Sequence, residues 1–594
     1  MKNKLFLVLL ALVMLVPCAA AAENTDESVV KVYVSPNGKS GAEGTEDKPL
    51  NINGYQKFVQ QIIEKCKTPT EIQVIFRGGE YRVQNQIVLT RLDSGFDDEH
   101  RVIYKAYDGE EPIFKGSRKI DVTKIKKVTD NKILKRLPES SRDKVGVIDL
   151  KEQGVEKITA DAWDMGGYAR IYLNNSEQMI SQWPNGDYNY GEFSAVSVGG
   201  VGANTAGGSF RYENTVRPER WIDADDIVIQ GYFGYDYRAE TVPVANIDVK
   251  NSVINLKQGS DFGIENKQSR RWKAINLLEE IDMPGEWYID RKSMLLYYYP
   301  PYGLDAASAE LEMTELQDYM FKLSGASNIT FSGLTFTQSG SGAIVGYHEP
   351  KSVIRNITVD KCTFTDLGNT ALNFYTYNFG KIFDFAQWMN IEGNLYNMKI
   401  TNNILYNIYG SGIMLQSGST DRIEAHGVEV SNNYASRTAP LADDPYILLG
   451  TVDAVEGIVD HNLCHNTGFH VLTLNRIRSK ARYNEIVATV RESVDAGAFY
   501  VGRTIMNRDN EYSYNFFYET NPVNPRVYLH RHNRAIYFDD GYAGGILKNN
   551  ISIDGDKSFY TSGSGSKYYN NITVDHDSGM QLGVWAGVDR YEKF

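Results

Sequence analysis

The stretch NITVDKCTFTDLGNTALNFY, residues 356–375, decides the fold. It holds a short run of alternating apolar and polar residues, a small polar turn, and a second short run. NITFSGLTFTQSGSGAIVGY (328–347) precedes it and NMKITNNILYNIYGSGIMLQS (397–417) follows it in the same form. The pattern returns in EVSNNYASRTA, GIVDHNLCHNTGFHVLTLN, ARYNEIVATVRESVDAGAFYVG, NEYSYNFFYET, ILKNNISIDG and SKYYNNITVD. An asparagine recurs at 403, 433, 462, 484, 515, 550 and 571, in steps of 30, 29, 22, 31, 35 and 21. A base period of about 21–22 with variable excess is the signature of a solenoid whose strands keep register while insertions loop out at one corner. Leucine at fixed offsets and a helix per repeat are missing, which sets aside a leucine-rich repeat. A β-propeller needs four strands per ~40 residues, a poor fit to these steps. Strands rich in Ile, Val, Thr, Phe and Tyr, bent at Asn and Gly, predict a right-handed parallel β-helix. Asn at the recurring bend tolerates the left-handed backbone region, and stacked amides hydrogen-bond from rung to rung.

Working outward, residues 313–594 read as the main helix and 23–120 as its start and cap. A helix is expected in YQKFVQQIIEKC, with Phe58, Ile62 and Ile63 on its apolar face. Residues 121–312 lack the repeat and carry turn-rich segments such as GGVGANTAGGSF. They read as an inserted, sandwich-like β-rich module. Trp163, Trp183, Trp221 and Trp287 lie there, mostly as core, with some available to frame a sugar.

The first residues, MKNKLFLVLLALVMLVPCAAAAE, have a basic start, an apolar run from Leu5 to Val16 and a small-x-small site at Ala20 and Ala22. They read as a signal peptide over 1–22, and predict export to the periplasm or beyond the cell. Pro17 makes Cys18 a poor site for a lipid anchor, and no later segment is apolar enough to span a membrane. Cys66, Cys362 and Cys464 are too few and too scattered for a disulfide framework, and Cys362, inside an alternating strand, reads as a buried apolar thiol. A net charge of −13 argues against a nucleic-acid partner. No CxxC or HExxH spacing supports zinc, so no metal site is expected. The 39 Tyr and 7 Trp serve the core and also suit stacking on sugar rings. The protein is expected to be a monomer.

Two stretches carry chemistry: RESVDAGAFYVGR (491–503) and RAIYFDDGYAGG (534–545). Aligning Ala498–Val501 with Ala535–Phe538 sends Phe499, Val501, Ile536 and Phe538 inward, and Tyr500, Tyr537 and Asp539 outward. Asp540 has inward parity but stands at a corner before Gly541. Asp495 lies at the opposite end of its strand, so the alignment leaves its distance from Asp539 unset and calls for a turn to bring it round. Turn chemistry alone accounts for an Asp at 495 and for Asp539–Asp540–Gly541. Neighbouring rungs are ~4.8 Å apart, however, so acids at one corner are able to straddle a glycosidic bond. Adjacent Asp539 and Asp540 also raise one another's pKa, which suits a general acid. The catalytic candidates are therefore Asp495, Asp539 and Asp540. Tyr500, Tyr537, Arg503, His530, His532 and Glu519 are candidates to bind substrate. The two histidines, at alternate positions beside the acids, favour hydrogen bonds to sugar over a metal. Glu519 is a reserve acid about one rung after Asp495. His461 and His465 read as structural.

VYVSPNGKSGAEGTEDKPL, VIFRGGEYRVQNQIVL and YKAYDGEEPIFKGSRKI resemble the opening of secreted right-handed β-helix proteins of carbohydrate metabolism. ARIYLNNSEQMISQWPN and GEWYIDRKSMLLYYYPP resemble their inserted module. DAGAFYVGR with IYFDDGYAGG is most similar to glycoside hydrolase family 141, with Phe499 for an Ile and Phe538 for a Leu. That resemblance implies an α-L-fucosidase- or xylanase-like glycosidase of a plant cell-wall or other complex polysaccharide, acting through Asp495 and the Asp539–Asp540 pair and needing no cofactor. The same fold also serves polysaccharide lyases. A lyase here would use NRIRSK (475–480) as a source of base and Asp443 and Asp444 to hold Ca²⁺. A non-catalytic carbohydrate-binding protein is the third possibility.

Overall fold

A computed structural model describes residues 29–158, 169–186, 189–267, 269–346, 353–375, 395–418, 423–437, 447–502, 507–523 and 532–583. The leader, Cys18, Trp163, Asp443, Asp444, Arg503 and His530 lie outside them. Each rung contributes three short strands, and every strand pairs in parallel with its counterpart one rung away. One face is a twelve-stranded parallel sheet running from Val29–Val34 through Ile329–Ser332 and Ile458–Asp460 to Lys567–Tyr569. The second face follows the first turn of each rung, as in Thr363–Leu367, Leu463–His465 and Phe516–Thr520. The third carries the candidate site. Its successive strands are β1 (Leu372–Phe374), β2 (Ile413–Ser417), β3 (Gly450–Ala454), β4 (Leu472–Asn475), β5 (Gly497–Val501), β6 (Arg534–Phe538) and β7 (Ile551–Thr561). β7 is long enough to run across the second face and into the third.

Strand side chains alternate, so each rung sends one set of apolar groups into a single continuous core from Val30 to Phe559. Aromatic rings stack along it: Phe114 on Phe336 at 5.3 Å, and Phe336 on Phe364 at 5.3 Å and 6°. Cys362 lies in this core, where burial pushes its thiol up to about 12. The helix α1 (Tyr55–Lys65) closes the early rungs. Its face differs from the expected one: Tyr55 and Val59 are fully buried, while Phe58, Ile62 and Ile63 only lean on the core. Tyr55 sits edge-on against Phe76 and Tyr104, which draws that side of the helix inward.

The seven recurring asparagines form one buried ladder. Each Oδ1 accepts from both the backbone N–H and the Nδ2 of the asparagine one rung before, from Asn403→Asn433 at 3.0 and 2.9 Å to Asn550→Asn571 at 3.0 and 2.9 Å. Each Nδ2 from Asn403 onward donates as well to a carbonyl of the preceding rung's first strand, such as Asn484 to Val459 O at 3.1 Å. The left-handed backbone assigned to these asparagines belongs instead to the residue before each one: Asn402, Asn432, His461, Tyr483, Tyr514, Asn549 and Asn570. The bend is made there, which leaves the ladder amide free to point inward. Asn328, Asn356 and Asn397 do take positive φ themselves and form a second, shorter ladder. On the outer side of the main bend, His461, Tyr483 and Tyr514 stack at 5.0 Å steps. His465 hydrogen-bonds Tyr434 on the previous rung.

Strands between Ser117 and Thr314 pair among themselves in one seven-stranded and two four-stranded sheets, with aromatic cores of their own. Trp221 and Trp287 are buried, and Trp183 packs on Trp221 and Trp272. Polar contacts join these sheets to the helix. Tyr409 donates to Glu177 at 2.8 Å, the Arg170 guanidinium lies 3.4 Å over the Tyr409 ring, and Tyr190 donates to Glu492 at 2.6 Å.

Asn484 accepts two ladder bonds and donates two, all buried. Asn484→Ala strands buried donors and an acceptor on the adjoining rungs and should cost about 2–4 kcal/mol. Guanidinium unfolding followed by circular dichroism checks this; an unchanged midpoint would show that the ladder contributes nothing.

Candidate active site

β5 and β6 pair in the expected register, Phe499 to Ile536, Tyr500 to Tyr537 and Val501 to Phe538. Phe499, Val501, Ile536 and Phe538 are in the core. Tyr500 and Tyr537 point outward with Asp539, and the Tyr500 hydroxyl donates to Asp539 Oδ2 at 3.1 Å. Gly502 lies opposite Asp539, and a Cβ there would stand 3.0 Å from Asp539 Cβ. The missing side chain is what lets the aspartate settle against the strand end.

Asp495 joins them at a bend in the chain, as the alignment called for. It has left-handed φ of 54° at the entry to β5, and its Oδ1 accepts from the Tyr537 hydroxyl at 2.8 Å and from Arg534 Nη1 at 3.1 Å. β5 is only five residues long, and a tyrosine on the neighbouring rung spans most of it. The two carboxylates thus take separate tyrosine hydroxyls, Asp495 that of Tyr537 and Asp539 that of Tyr500, on neighbouring strands. Burial raises the Asp539 pKa, and the charges of Asp540 and Asp495 raise it further. Asp540, at φ 43°, turns the chain and donates its backbone N–H to Asp539 Oδ1 at 2.8 Å. Burial between the two acids likewise raises the Tyr537 hydroxyl, which therefore remains a donor.

Four residues that the motifs did not single out complete the face. Arg534 pairs with Asp495 and lies 4.1 Å from the Tyr537 ring centre. Tyr560 and Lys557 on β7 stand opposite Tyr537 and Arg534. His470, in the rung before, stacks on Tyr500 at 4.6 Å and 19°. A legible signal existed for two of them: GDKSFYTSG (555–563) written beneath the second motif puts Lys557 under Arg534 and Tyr560 under Tyr537. His470 had none, since the loop between β4 and β5 hides its position.

Other candidates are placed elsewhere or differently. Glu519 lies at a left-handed position in Phe516–Thr520 on the second face, whose partners are Glu485–Val487 and β7 rather than β5. It stands beside Tyr518 and near Asp554. The spacing of 24 residues crossed from one face to another instead of one rung along the same face. His532 has its Nδ1 3.0 Å from Lys557 Nζ, and partial desolvation together with the charges of Lys557 and Arg534 lowers its pKa. In the basic stretch weighed for a lyase, Arg476 is buried and donates to Gly418 O at 2.6 Å, and Arg478 pairs with Glu456 at 2.6 Å.

A family model described as "Right handed beta helix region" matches residues 306–440. The fold is a right-handed parallel β-helix. A solved structure described as "Glycoside hydrolase" aligns with 95% of this chain and 98% of its own, at 11% identity and a TM-score of 0.57. "The complex structure of XylC with xylose" aligns with 89% of this chain and 69% of its own, at 15% identity and a TM-score of 0.47, too distant to bear on chemistry. At 11% identity the first likeness speaks for the fold alone. No curated protein matches the sequence. Among the described residues no helix is long and apolar enough to cross a membrane.

Asp540→Asn removes one of the two charges that raise Asp539, so the Asp539 pKa should fall. Carboxyl-carbon NMR titration reads this directly, and a constant or higher value would contradict the account.

Proposed function

We propose that this protein is an exported glycoside hydrolase of complex, plant cell-wall-type polysaccharide, with the fucosidase- or xylanase-like action that its resemblance to glycoside hydrolase family 141 implies. The observation that carries the reading is the pair of neighbouring tyrosines, Tyr537 bonded to Asp495 and Tyr500 bonded to Asp539, which sets the two acids close enough for the charge of Asp495 to raise Asp539. Glycosidic cleavage asks two carboxyl groups for opposite roles. One must arrive protonated, and the other must supply an electron pair. Asp539, half-buried between two further acids, takes the first role and gives its proton to the leaving glycosidic oxygen. Asp495 is 44% exposed at the side chain and ion-paired to Arg534. It takes the second role, attacking the anomeric carbon or deprotonating the water that does so. Tyr537, itself buried, and Tyr500 hold the two carboxyl groups in place.

Asp495→Asn and Asp539→Asn should each lower kcat by about 10²–10⁴-fold with the fold intact, as expected for loss of an acid–base or nucleophilic group. A screen of aryl-glycosides and plant polysaccharides checks this; wild-type rates in both variants would remove the assignment. An acid works only while protonated, so kcat/KM should fall as pH rises through the elevated Asp539 pKa. Asp540→Asn should move that basic limb to lower pH, and a limb that stays put would separate Asp539 from the acid role.

A further inference from the structure

Next to the two acids stands a group of cations that cleavage of a neutral sugar does not call for. Arg534 on β6 and Lys557 on β7 are register partners on adjacent strands, ~4.8 Å apart along the stack. His532, two residues before Arg534, touches the Lys557 ammonium. Two like charges directly opposite on neighbouring strands repel one another. Arg534 spends one nitrogen on Asp495 and on the His532 carbonyl. It is only 5% exposed, and its Nε is buried without a hydrogen-bond partner. Among the described residues no carboxylate forms an ion pair with Lys557, although Asp495, Asp556 and Asp577 lie near enough to be felt. Burial and the Arg534 charge lower the Lys557 pKa. A solvated lysine at a strand end would show neither a buried arginine behind it nor a histidine against it. In a chain of net charge −13, these two cations stand beside Asp495, where the reacting sugar would sit.

We propose that Lys557, with Arg534 and His532 behind it, forms an anion subsite for an acidic sugar unit, a uronate carboxylate or a sulfate ester, seated at Asp495. The inference rests on the hydrolase reading for the orientation of that sugar, but the subsite is measurable without turnover. The Lys557 ammonium supplies charge-assisted hydrogen bonds that a neutral hydroxymethyl group cannot match, and the buried Arg534 adds positive charge behind it. The negative charge of the ligand offsets the repulsion between Arg534 and Lys557. The substrate class narrows accordingly to glycans bearing acidic residues.

The test uses the full chain carrying Asp539→Asn, which keeps bound sugar intact, and calorimetric titration with three probes: glucuronate- or galacturonate-bearing oligosaccharides, their carboxyl-reduced counterparts, and a sulfated oligosaccharide. The acidic probe should bind about tenfold or more tightly than the reduced one. Lys557→Gln should abolish that preference and Lys557→Arg should keep it. Equal affinity for acidic and reduced probes, or a preference that survives Lys557→Gln, would overturn the subsite. Tighter binding of the sulfated probe alone would assign the anion to a sulfate ester. The two readings fail separately. If wild-type protein discriminates between the probes but releases no hydrolysis product, the hydrolase reading falls and the subsite stands. If it hydrolyses glycans with no acidic preference, the reverse holds. An ultraviolet-absorbing unsaturated product would mark β-elimination in place of hydrolysis.

Discussion

Register between rungs is the constraint on which everything else depends, and the buried asparagine ladder enforces it. A parallel pair slipped by one residue would turn its whole apolar set from core to solvent. Here such a slip would also break, at each rung, two bonds to a buried amide oxygen. The penalty falls at one corner only. Between β5 and β6 the chain is free to lengthen the step to 35 residues elsewhere, while Asn515 and Asn550 still meet at 3.0 Å. Stacked Phe114, Phe336 and Phe364 do the same from inside the coil, by geometry rather than by hydrogen bonding.

A ladder that holds register also sets what stands beside what on the outer surface. Tyr500, Tyr537 and Tyr560 form one outward column, and Gly502, Asp539 and Ser562 follow it two positions on. Gly497, Arg534 and Lys557 form a third. The site is thus a small grid with strand spacing in one direction and residue spacing in the other. Charges are packed at a density that an isolated strand would not tolerate. Asp539 carries a raised pKa because the grid buries it and places the charges of Asp540 and Asp495 around it. The same grid seats one cation above another at Arg534 and Lys557. Acids and cations brought side by side within one face, Asp495 against Arg534 and Asp539 beside Asp540, set it apart from a plain flank of the solenoid.

Legibility tracks how local each cause is. The ladder residues were all readable, because a buried amide at a bend leaves the same letter at every turn. Their backbone was misassigned: the left-handed position is one residue earlier, filled by Asn, His or Tyr with no common letter. The outward set Tyr500, Tyr537 and Asp539 followed from strand parity. Asp495 did not, because its place depends on a left-handed bend and on a tyrosine reaching to it from the neighbouring rung, neither of which strand parity predicts. Glu519 misled for the opposite reason: a plausible count of residues crossed a corner and landed on another face.

From the sequence alone came the repeat, the β-helix, the asparagine ladder and the direction of each side chain along a strand, since all of these rest on periods of two residues or one rung. The company each charge keeps was decided only by the tertiary structure. Arg534 beside Asp495, Lys557 opposite Arg534 and His470 on Tyr500 depend on how many residues each loop consumes between rungs. Loop length has no period and leaves no mark on the strands it joins. The coil must close before two residues far apart in the chain find themselves one strand spacing apart.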